Sequence, residues 1–505
     1  MGKESRLNDL IQGERNKVEQ GTEIRVKDIA GLTCDSRKVE PGFLFAALPG
    51  TRADGLNFIP EAIKRGAVAI LAPPGARIDS PDRKVPLLID DNPRRRFALM
   101  AARFFAKQPS RVAAVTGTNG KTSVVLFTRQ IWERLGHKAA SMGTLGVSAP
   151  GAAPGVASGL ETSGSLTTPD PVALHRALKE LAESGVDYLA MEASSHGLHQ
   201  YRLDGVKIHV AAFTNLSRDH LDYHDSMEDY QEAKMRLFVE VMKPGGVAVL
   251  NADSDAFEAF RQTAEVRRQR VISYGREGED IRLENTEPLA DGQNLKLYVK
   301  GEHYDVTLPL VGDFQAENAL CALGVVLANG EDAKAAVAAL ETLKEAPGRI
   351  QKVAVHPNGA GVFVDYAHTP EALLSVLGAL RSHVEAHEGG RLVLVFGCGG
   401  DRDPGKRPEM GRIAKRLADD VIVTDDNPRS EDPAEIRKQI LAACEGAREI
   451  GDRAEAITAA LSRLGSKDIL VVAGKGHETG QIVGDQILPF DDAKVIRSVL
   501  KEITS

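Results

Sequence analysis

The run TGTNGKTS, Thr116 to Ser123, constrains the fold of this chain more than any other stretch of its sequence. It follows the apolar, strand-like segment Arg111 to Val115 and opens a helical pattern that reaches about Leu135, where Gly136 stops it. Strand, glycine turn and helix in that order make an anion cradle. Gly117 and Gly120 let backbone N–H groups approach phosphate oxygens, and the helix N-terminus adds its dipole. Thr118, Asn119 and Ser123 complete the loop. Lys121 is placed to reach the β- and γ-phosphates of ATP, and the Thr122 hydroxyl suits Mg²⁺. The usual pattern has a further glycine where this chain has Val115, so the match is to a shortened G-x-x-G-K-T form.

Around that loop the 505 residues divide, at about 150 per domain, into three α/β units. Residues 1–108 read as a small N-terminal α/β domain closed by a helix from Asn92 to Lys107. Residues 109–346 read as a central P-loop-type domain with a mostly parallel sheet. Its further strands are Val186 to Met191, His209 to Phe213 and Val247 to Leu250, with a hairpin at Leu295 to Leu310. Gly146 to Ser165, rich in Gly, Ala, Ser and Pro, reads as a mobile loop. Residues 347–505 read as doubly wound and Rossmann-like, with strands Val362 to Tyr366, Leu392 to Phe396, Val421 to Thr424 and Ile469 to Ala473.

A net charge of −8, one Trp and 5% aromatics argue against a nucleic-acid groove. The polar N-terminal stretch lacks the apolar centre of a signal peptide, and no run approaches the roughly 18 apolar residues of a membrane span. Cys34, Cys321, Cys398 and Cys444 form no CxxC pair, so neither a zinc knuckle nor a disulfide framework is indicated. A cytoplasmic protein with small-molecule partners is expected, without nucleic acid or membrane insertion.

MEASSHGL follows a strand, which puts Glu192 at its carboxyl end, where ligands bind in an open α/β sheet. A carboxylate opposite Thr122 is a natural Mg²⁺ ligand, although a surface strand end would explain it too. His220 and His224, at i and i+4, hint at zinc, but no third soft ligand accompanies them. Lys234, in EAKMRLF, is on spacing alone one exposed helix lysine among many.

With further motifs along nearly the whole chain, the phosphate loop resembles that of the Mur ligases, which add amino acids to the peptidoglycan precursor. Those motifs are DSRKVEPGFLFAALPGTRADG, MEASSHGL, FTNLSRDHLDYH, EAKMRLF, VDYAHTP, GGDRDPGKRP, DDNPRSEDP and AGKGHE. The resemblance implies ATP-dependent amide bond formation through an acyl phosphate, with Mg²⁺, a UDP-N-acetylmuramoyl peptide and an amino acid as partners. It implies that Lys234 is carbamylated (N6-carboxylysine), that Lys121, Lys234 and His220 are catalytic, and that Thr122, Glu192, His220 and Lys234 hold metal. His224 is then a ligand or structural with equal weight.

By the same resemblance Cys34, Ser36, Thr51, Arg52 and Ala53 hold the uridine end. Thr167, Thr168, Ser194, Gln200 and Arg202 grip the muramoyl dipeptide, with Leu166 where the family usually has Asn. Asn318, Arg349 and Asp365 belong to the adenine side, with Gln315 in place of the family's Asn. Asp426, Asn427, Pro428 and Arg429, joined by Arg402, Gly474 and Glu478, would receive the amino acid. Asp-Asn-Pro-Arg resembles the members that add meso-diaminopimelate, whose distal carboxylate suits the planar fork of Arg429. A lysine-adding member and a folylpolyglutamate synthase are the alternatives, with a non-ligating P-loop switch as a different class. The N-terminal unit, suited to a UDP-sugar, separates the chain from the folate enzymes. A monomer is expected.

Overall fold

The computed structural model describes residues 5–6, 10, 17–18, 28–50, 54–78, 85–150, 167–221, 223–289, 292–385 and 389–504. Among these, three sheets set the architecture. In the first, Gly31–Thr33, Phe43–Ala46, Ala69–Ala72 and Leu87–Ile89 run parallel, and Lys17–Val18 pairs antiparallel at the edge. The helix Pro93–Phe105 follows. Asn92 caps it by accepting from the Arg95 N–H, proline occupies the first turn, and Ala106 ends it at φ +59. Gln108 then fastens this unit to the next, its amide exchanging two hydrogen bonds with the Lys207 backbone at 3.0 and 3.2 Å.

The central sheet has ten strands, in the order Gly146–Ser148, Ala139–Gly143, Tyr188–Glu192, Arg111–Thr116, Ile208–Phe213, Met242–Asn251, Arg270–Gly275, Ile281–Leu289, Gly292–Val299 and Glu302–Leu308. Its middle is parallel and both ends are antiparallel. The phosphate-loop strand lies between Tyr188–Glu192 and Ile208–Phe213, so its carboxyl end opens at the centre of the sheet. Apolar side chains cover both faces. Phe127, Ile131 and Trp132 of the helix Lys121–Arg134 pack with the helix Asp313–Ala328 on one side, and Leu174, Leu178, Phe238 and Phe260 pack on the other.

The central sheet departs from the sequence reading at several points. Ala139–Gly143 (AASMG) has no β-branched residue, yet it is a strand because the sheet buries it. Gly146–Ser148, read as the start of a mobile loop, pairs antiparallel with it; 151–166 lie outside the described residues. The expected hairpin is two members of a three-stranded antiparallel extension.

The third sheet runs Gln351–Val355, Gly361–Asp365, Ile469–Ala473, Leu392–Phe396, Asp420–Val423 and Arg448–Glu449, parallel except for the first strand. A hairpin, Gly480–Val483 with Gln486–Pro489, is added beside it. The link between the central and third units is held at both ends. Gln130, on the phosphate-loop helix, donates to the Lys344 carbonyl at 3.0 Å and accepts its N–H at 2.8 Å. Gln315 donates to the Arg349 carbonyl at 3.2 Å. No helix among the described residues is long and apolar enough to cross a membrane.

One buried group gives the fold a pH dependence. His175, on the helix Pro171–Glu183, is 3% exposed with Nε2 3.2 Å from the Asp204 carbonyl, and burial lowers its pKa from 6.5 to about 4. Between those values the unfolded chain binds a proton that the native chain does not. Stability therefore falls as pH drops through that window, by on the order of 3 kcal/mol. His175→Gln keeps a donor for Asp204 but cannot titrate. Urea unfolding at about pH 8 and pH 4.5 should show a smaller acid loss in the variant than in the wild type, and equal losses would refute this.

Candidate active site

The phosphate loop is shaped by what presses against its glycines. Gly117 has φ +146 and a Cβ there would fall 1.9 Å from Thr214 Oγ1; Gly120 has φ +87 and a Cβ would fall 2.3 Å from Asn318 Oδ1. The segment after the strand Ile208–Phe213 braces the loop. The Thr118 N–H donates to the Asn215 carbonyl at 2.9 Å, the Asn119 N–H to Asn215 Oδ1 at 2.8 Å, and Thr214 Oγ1 to the Asn119 carbonyl at 2.6 Å.

Two lysines converge on this loop. Lys121 Nζ donates to the carbonyls of Gly117 and Thr118 at 2.9 and 2.8 Å, and Lys234 Nζ donates to the same Gly117 carbonyl at 2.9 Å. Lys234 is no surface lysine. It is 1% exposed on the helix Met227–Arg236, with Nζ 4.0 Å from the Tyr230 ring centre. Burial, then the nearby charge of Lys121, holds its amine well below the ordinary lysine range, while Asp219 opposes the shift. Lys121 is also lowered, by burial first, with Glu192 and Asp219 resisting.

Glu192 ends its strand facing the loop. Thr122 Oγ1 donates to Glu192 Oε1 at 3.0 Å, the Thr144 N–H donates to the same oxygen at 2.8 Å, and Thr144 Oγ1 donates to Oε2 at 3.1 Å. No cluster of three His, Cys, Asp or Glu capable of holding a metal forms among the described residues. The donor set nevertheless fits Mg²⁺, which takes one or two carboxylates and completes its shell with phosphate oxygens and water.

His220 adopts φ +55, its Nε2 3.5 Å from Asp219 Oδ2. The His196 ring lies edge-on to it at 4.8 Å and tilts over Tyr223 at 4.0 Å. His224 is buried among these rings, and its pKa is lowered to about 4 by burial first. From Tyr223 a polar chain leads outward. Its hydroxyl accepts from Gln200 Nε2 at 2.9 Å, Gln200 Oε1 accepts from Arg202 at 2.7 Å, and Arg202 donates to the Thr168 carbonyl at 2.7 Å. The Thr168 and Ser194 hydroxyls are 2.9 Å apart, and Thr167 Oγ1 is 3.2 Å from Thr144 Oγ1. Burial lowers the pKa of Arg202, with Asp170 resisting and Arg94 of the first unit adding to the shift, so this set meets that unit across its seam. There Cys34 is exposed and Ser36 Oγ donates to Glu61 at 3.4 Å. Thr51, Arg52, Ala53 and Leu166 lie outside the described residues.

A second chain of contacts leads from the loop to the third unit. Asn318 Nδ2 donates to Gln315 Oε1 at 3.1 Å, Gln315 reaches the Arg349 carbonyl, and the Arg349 guanidinium lies 4.4 Å over the Tyr366 ring. Asp365 accepts the Ile350 and Ala367 N–H groups at 2.6 and 2.7 Å. Beyond Tyr366 are Asp426 and Asn427, both buried, and Arg429, which has φ +52 and donates to the Gly400 carbonyl at 2.8 Å. Pro428 packs its carbonyl against Gly400, where a Cβ would fall 2.0 Å from that oxygen. Asn427 Nδ2 donates to Glu478 Oε2 at 2.9 Å, while Arg402 is exposed on the neighbouring loop. Asp426 Oδ2 is buried with no hydrogen-bond partner among the described residues.

Residues 28–105 match a profile described as the Mur ligase family catalytic domain, 115–326 the Mur ligase middle domain, and 348–476 the Mur ligase glutamate ligase domain. The UDP-N-acetylmuramoyl-L-alanyl-D-glutamate--2,6-diaminopimelate ligase of Bradyrhizobium diazoefficiens is 52% identical over 504 residues, covering 98% of this chain and 99% of its own. The chain belongs to the Mur ligase family. The ligase of the same name from Caulobacter vibrioides is 54% identical, covering 92% of this chain and 94% of its own. A solved structure under that name superposes with a TM-score of 0.71 at 33% identity, covering 99% and 100% of the two chains. Folylpolyglutamate synthase of Mycobacterium tuberculosis, complexed with ADP and AMPPCP, shares the fold at 22% identity and TM-score 0.61, covering 78% of this chain and 92% of its own.

In this Mur ligase, sequence reading passed over several residues that build the site. Thr144 orients both oxygens of Glu192 but follows a strand whose composition gave no signal. Tyr230, fully buried with its hydroxyl 3.2 Å from Thr118 Oγ1, belongs to none of the motifs read in the sequence. Lys475, fully buried beneath Asn427 and Glu478, stood within the quoted AGKGHE motif and was not singled out.

Proposed function

We propose that this Mur ligase joins meso-diaminopimelate to UDP-N-acetylmuramoyl-L-alanyl-D-glutamate at the expense of ATP, forming a carbon–nitrogen bond through an acyl phosphate. One observation carries the reading. The phosphate loop, Glu192 and Lys234 stand between a polar set reaching the first unit and a loop of the third unit built from two carboxylates and an arginine.

In the proposed reaction Lys121 leaves its loop carbonyls to contact the transferring phosphoryl group, whose oxygens carry the developing charge. Arg202, Thr168 and Ser194 hold the dipeptide so that its free glutamyl carboxylate meets that group. Asp426 and Glu478 accept from an ammonium of the amino acid, and Arg429 pairs with a carboxylate. The amine then attacks the acyl carbon and phosphate departs. When bound, Mg²⁺ would be held by Thr122, Glu192, His220 and a carbamylated Lys234, and it supplies charge neutralisation on the phosphates. We read residues 1–108, 109–346 and 347–505 as the UDP-substrate, nucleotide and amino-acid domains of a cytoplasmic monomer.

Lysine lacks the distal carboxylate and would leave Arg429 without that partner. Wild-type kcat/KM, followed by phosphate release, should favour diaminopimelate over lysine by about 10³. Arg429→Ala should erase most of that ratio. Comparable wild-type values for the two amino acids would overturn the specificity and leave the ligase chemistry standing.

A further inference from the structure

Lys475 sits in a turn that leaves its side chain little choice of direction. It follows the strand Ile469–Ala473 and is flanked by Gly474 and Gly476, at φ +115 and +54. A Cβ on Gly474 would fall 2.5 Å from Asp426 Oδ2, and one on Gly476 would fall 2.7 Å from Tyr366 Cβ. The turn is pinned between the nucleotide-side tyrosine and the carboxylate of the amino-acid loop. The one long side chain between the glycines is fully buried.

Its ammonium donates to Asn427 Oδ1 at 3.0 Å and to Glu478 Oε2 at 2.9 Å. Asn427 Oδ1 also accepts the Ile482 N–H at 2.9 Å, while its Nδ2 donates to the same Glu478 oxygen at 2.9 Å. The Asn427 amide therefore cannot flip, because its NH₂ would then face two donors. Glu478 Oε2 already receives two donors, which leaves Oε1 to take a third from elsewhere. Asp426 Oδ2, which has no hydrogen-bond partner among the described residues, stands beside this array. A buried cation with two fixed acceptors is a scaffold for a recognition surface as well as a charge balance.

We propose that Lys475 is a positioning residue for the amino-acid site. It locks Asn427 in one orientation and presents a single oxygen of Glu478 to the ammonium of the incoming amino acid. The proposal rests on the reading that this loop receives diaminopimelate. A lysine serving only to balance buried charge would affect stability and every substrate alike. A positioning lysine acts on one substrate.

The test is phosphate release by the full chain, titrating diaminopimelate and ATP separately. Lys475→Met should raise KM for diaminopimelate about 10- to 100-fold, the range for losing hydrogen bonds to charged groups, while KM for ATP stays within about twofold. Lys475→Arg, which keeps the cation, should recover part of the loss. In an Asn427→Ala background the effect of Lys475→Met should shrink, since the lysine acts partly through that amide. If Lys475→Met does not fold, Lys475→Gln is held to the same criteria. An unchanged diaminopimelate KM, or equal rises for diaminopimelate and ATP, would overturn the proposal. Wild-type phosphate release that ignores diaminopimelate would instead overturn the reading on which it rests.

Discussion

Lys234→Ala is expected to lose activity by about 10⁴, and millimolar formate or acetate should restore part of it. The expectation follows from the environment of the amine. Its burial against Tyr230, with Lys121 close by, disfavours the ammonium. A neutral amine can add to CO₂, giving R–NH–COO⁻ and releasing one proton. That converts a neutral amine, whose ammonium form Lys121 would crowd, into an anion that Lys121 attracts, and it supplies oxygens where metal and phosphates would gather. Truncation to alanine removes those oxygens and leaves a space that a small carboxylate fits. Lys234→Arg preserves positive charge but cannot form the carbamate, so it should be as inactive as the alanine variant. Wild-type turnover in Lys234→Arg would refute the carbamate, as would the absence of a carbamate carbon signal from ¹³C-bicarbonate in the wild type.

Lys121→Ala should be comparably damaging, about 10⁴ in kcat, because the lost interaction strengthens as charge moves onto the phosphoryl oxygens. The two lysines should fail differently. Lys121→Ala is a loss of transition-state stabilisation and should resist rescue by carboxylates, whereas added alkylamines should return a little activity. Single-turnover formation of the acyl phosphate is the measurement that isolates the step. Near-normal formation in Lys121→Ala would remove this lysine from the chemistry.

How much of this was legible in the sequence depends on how local each cause is. The phosphate loop is a run of consecutive residues whose chemistry and geometry come together, so Gly117, Gly120, Lys121 and Thr122 could be read directly. Most parallel strands of the central and third sheets announced themselves as apolar runs, though Arg270–Gly275 and Arg448–Glu449 went unread. Ala139–Gly143 did not, because its strand character comes from burial between neighbours rather than from its own residues. Lys234 is the sharpest case. Its helix spacing says surface, and only the packing of Tyr230 and the Gly117 carbonyl makes it a buried amine. Family resemblance suggests its role, and the fold shows a buried amine beside the phosphate loop. The same holds for Gln315, a departure from the family pattern that nonetheless ties Asn318 to Arg349.

The two anchors on the domain link set the length of a tether. Lys344 is fixed by Gln130 and Arg349 by Gln315, and the four residues between them are themselves held, the Ala346 carbonyl accepting the Arg349 N–H at 3.0 Å and the Gly348 N–H donating to Gln351 Oε1 at 2.9 Å. Four residues reach at most about 14 Å when fully extended. A domain on so short a leash explores a small volume, and under the proposed reaction an amine bound to it would meet the acyl phosphate at high effective concentration. An acyl phosphate hydrolyses if left waiting in water, so the short tether favours capture by the amine over loss to solvent.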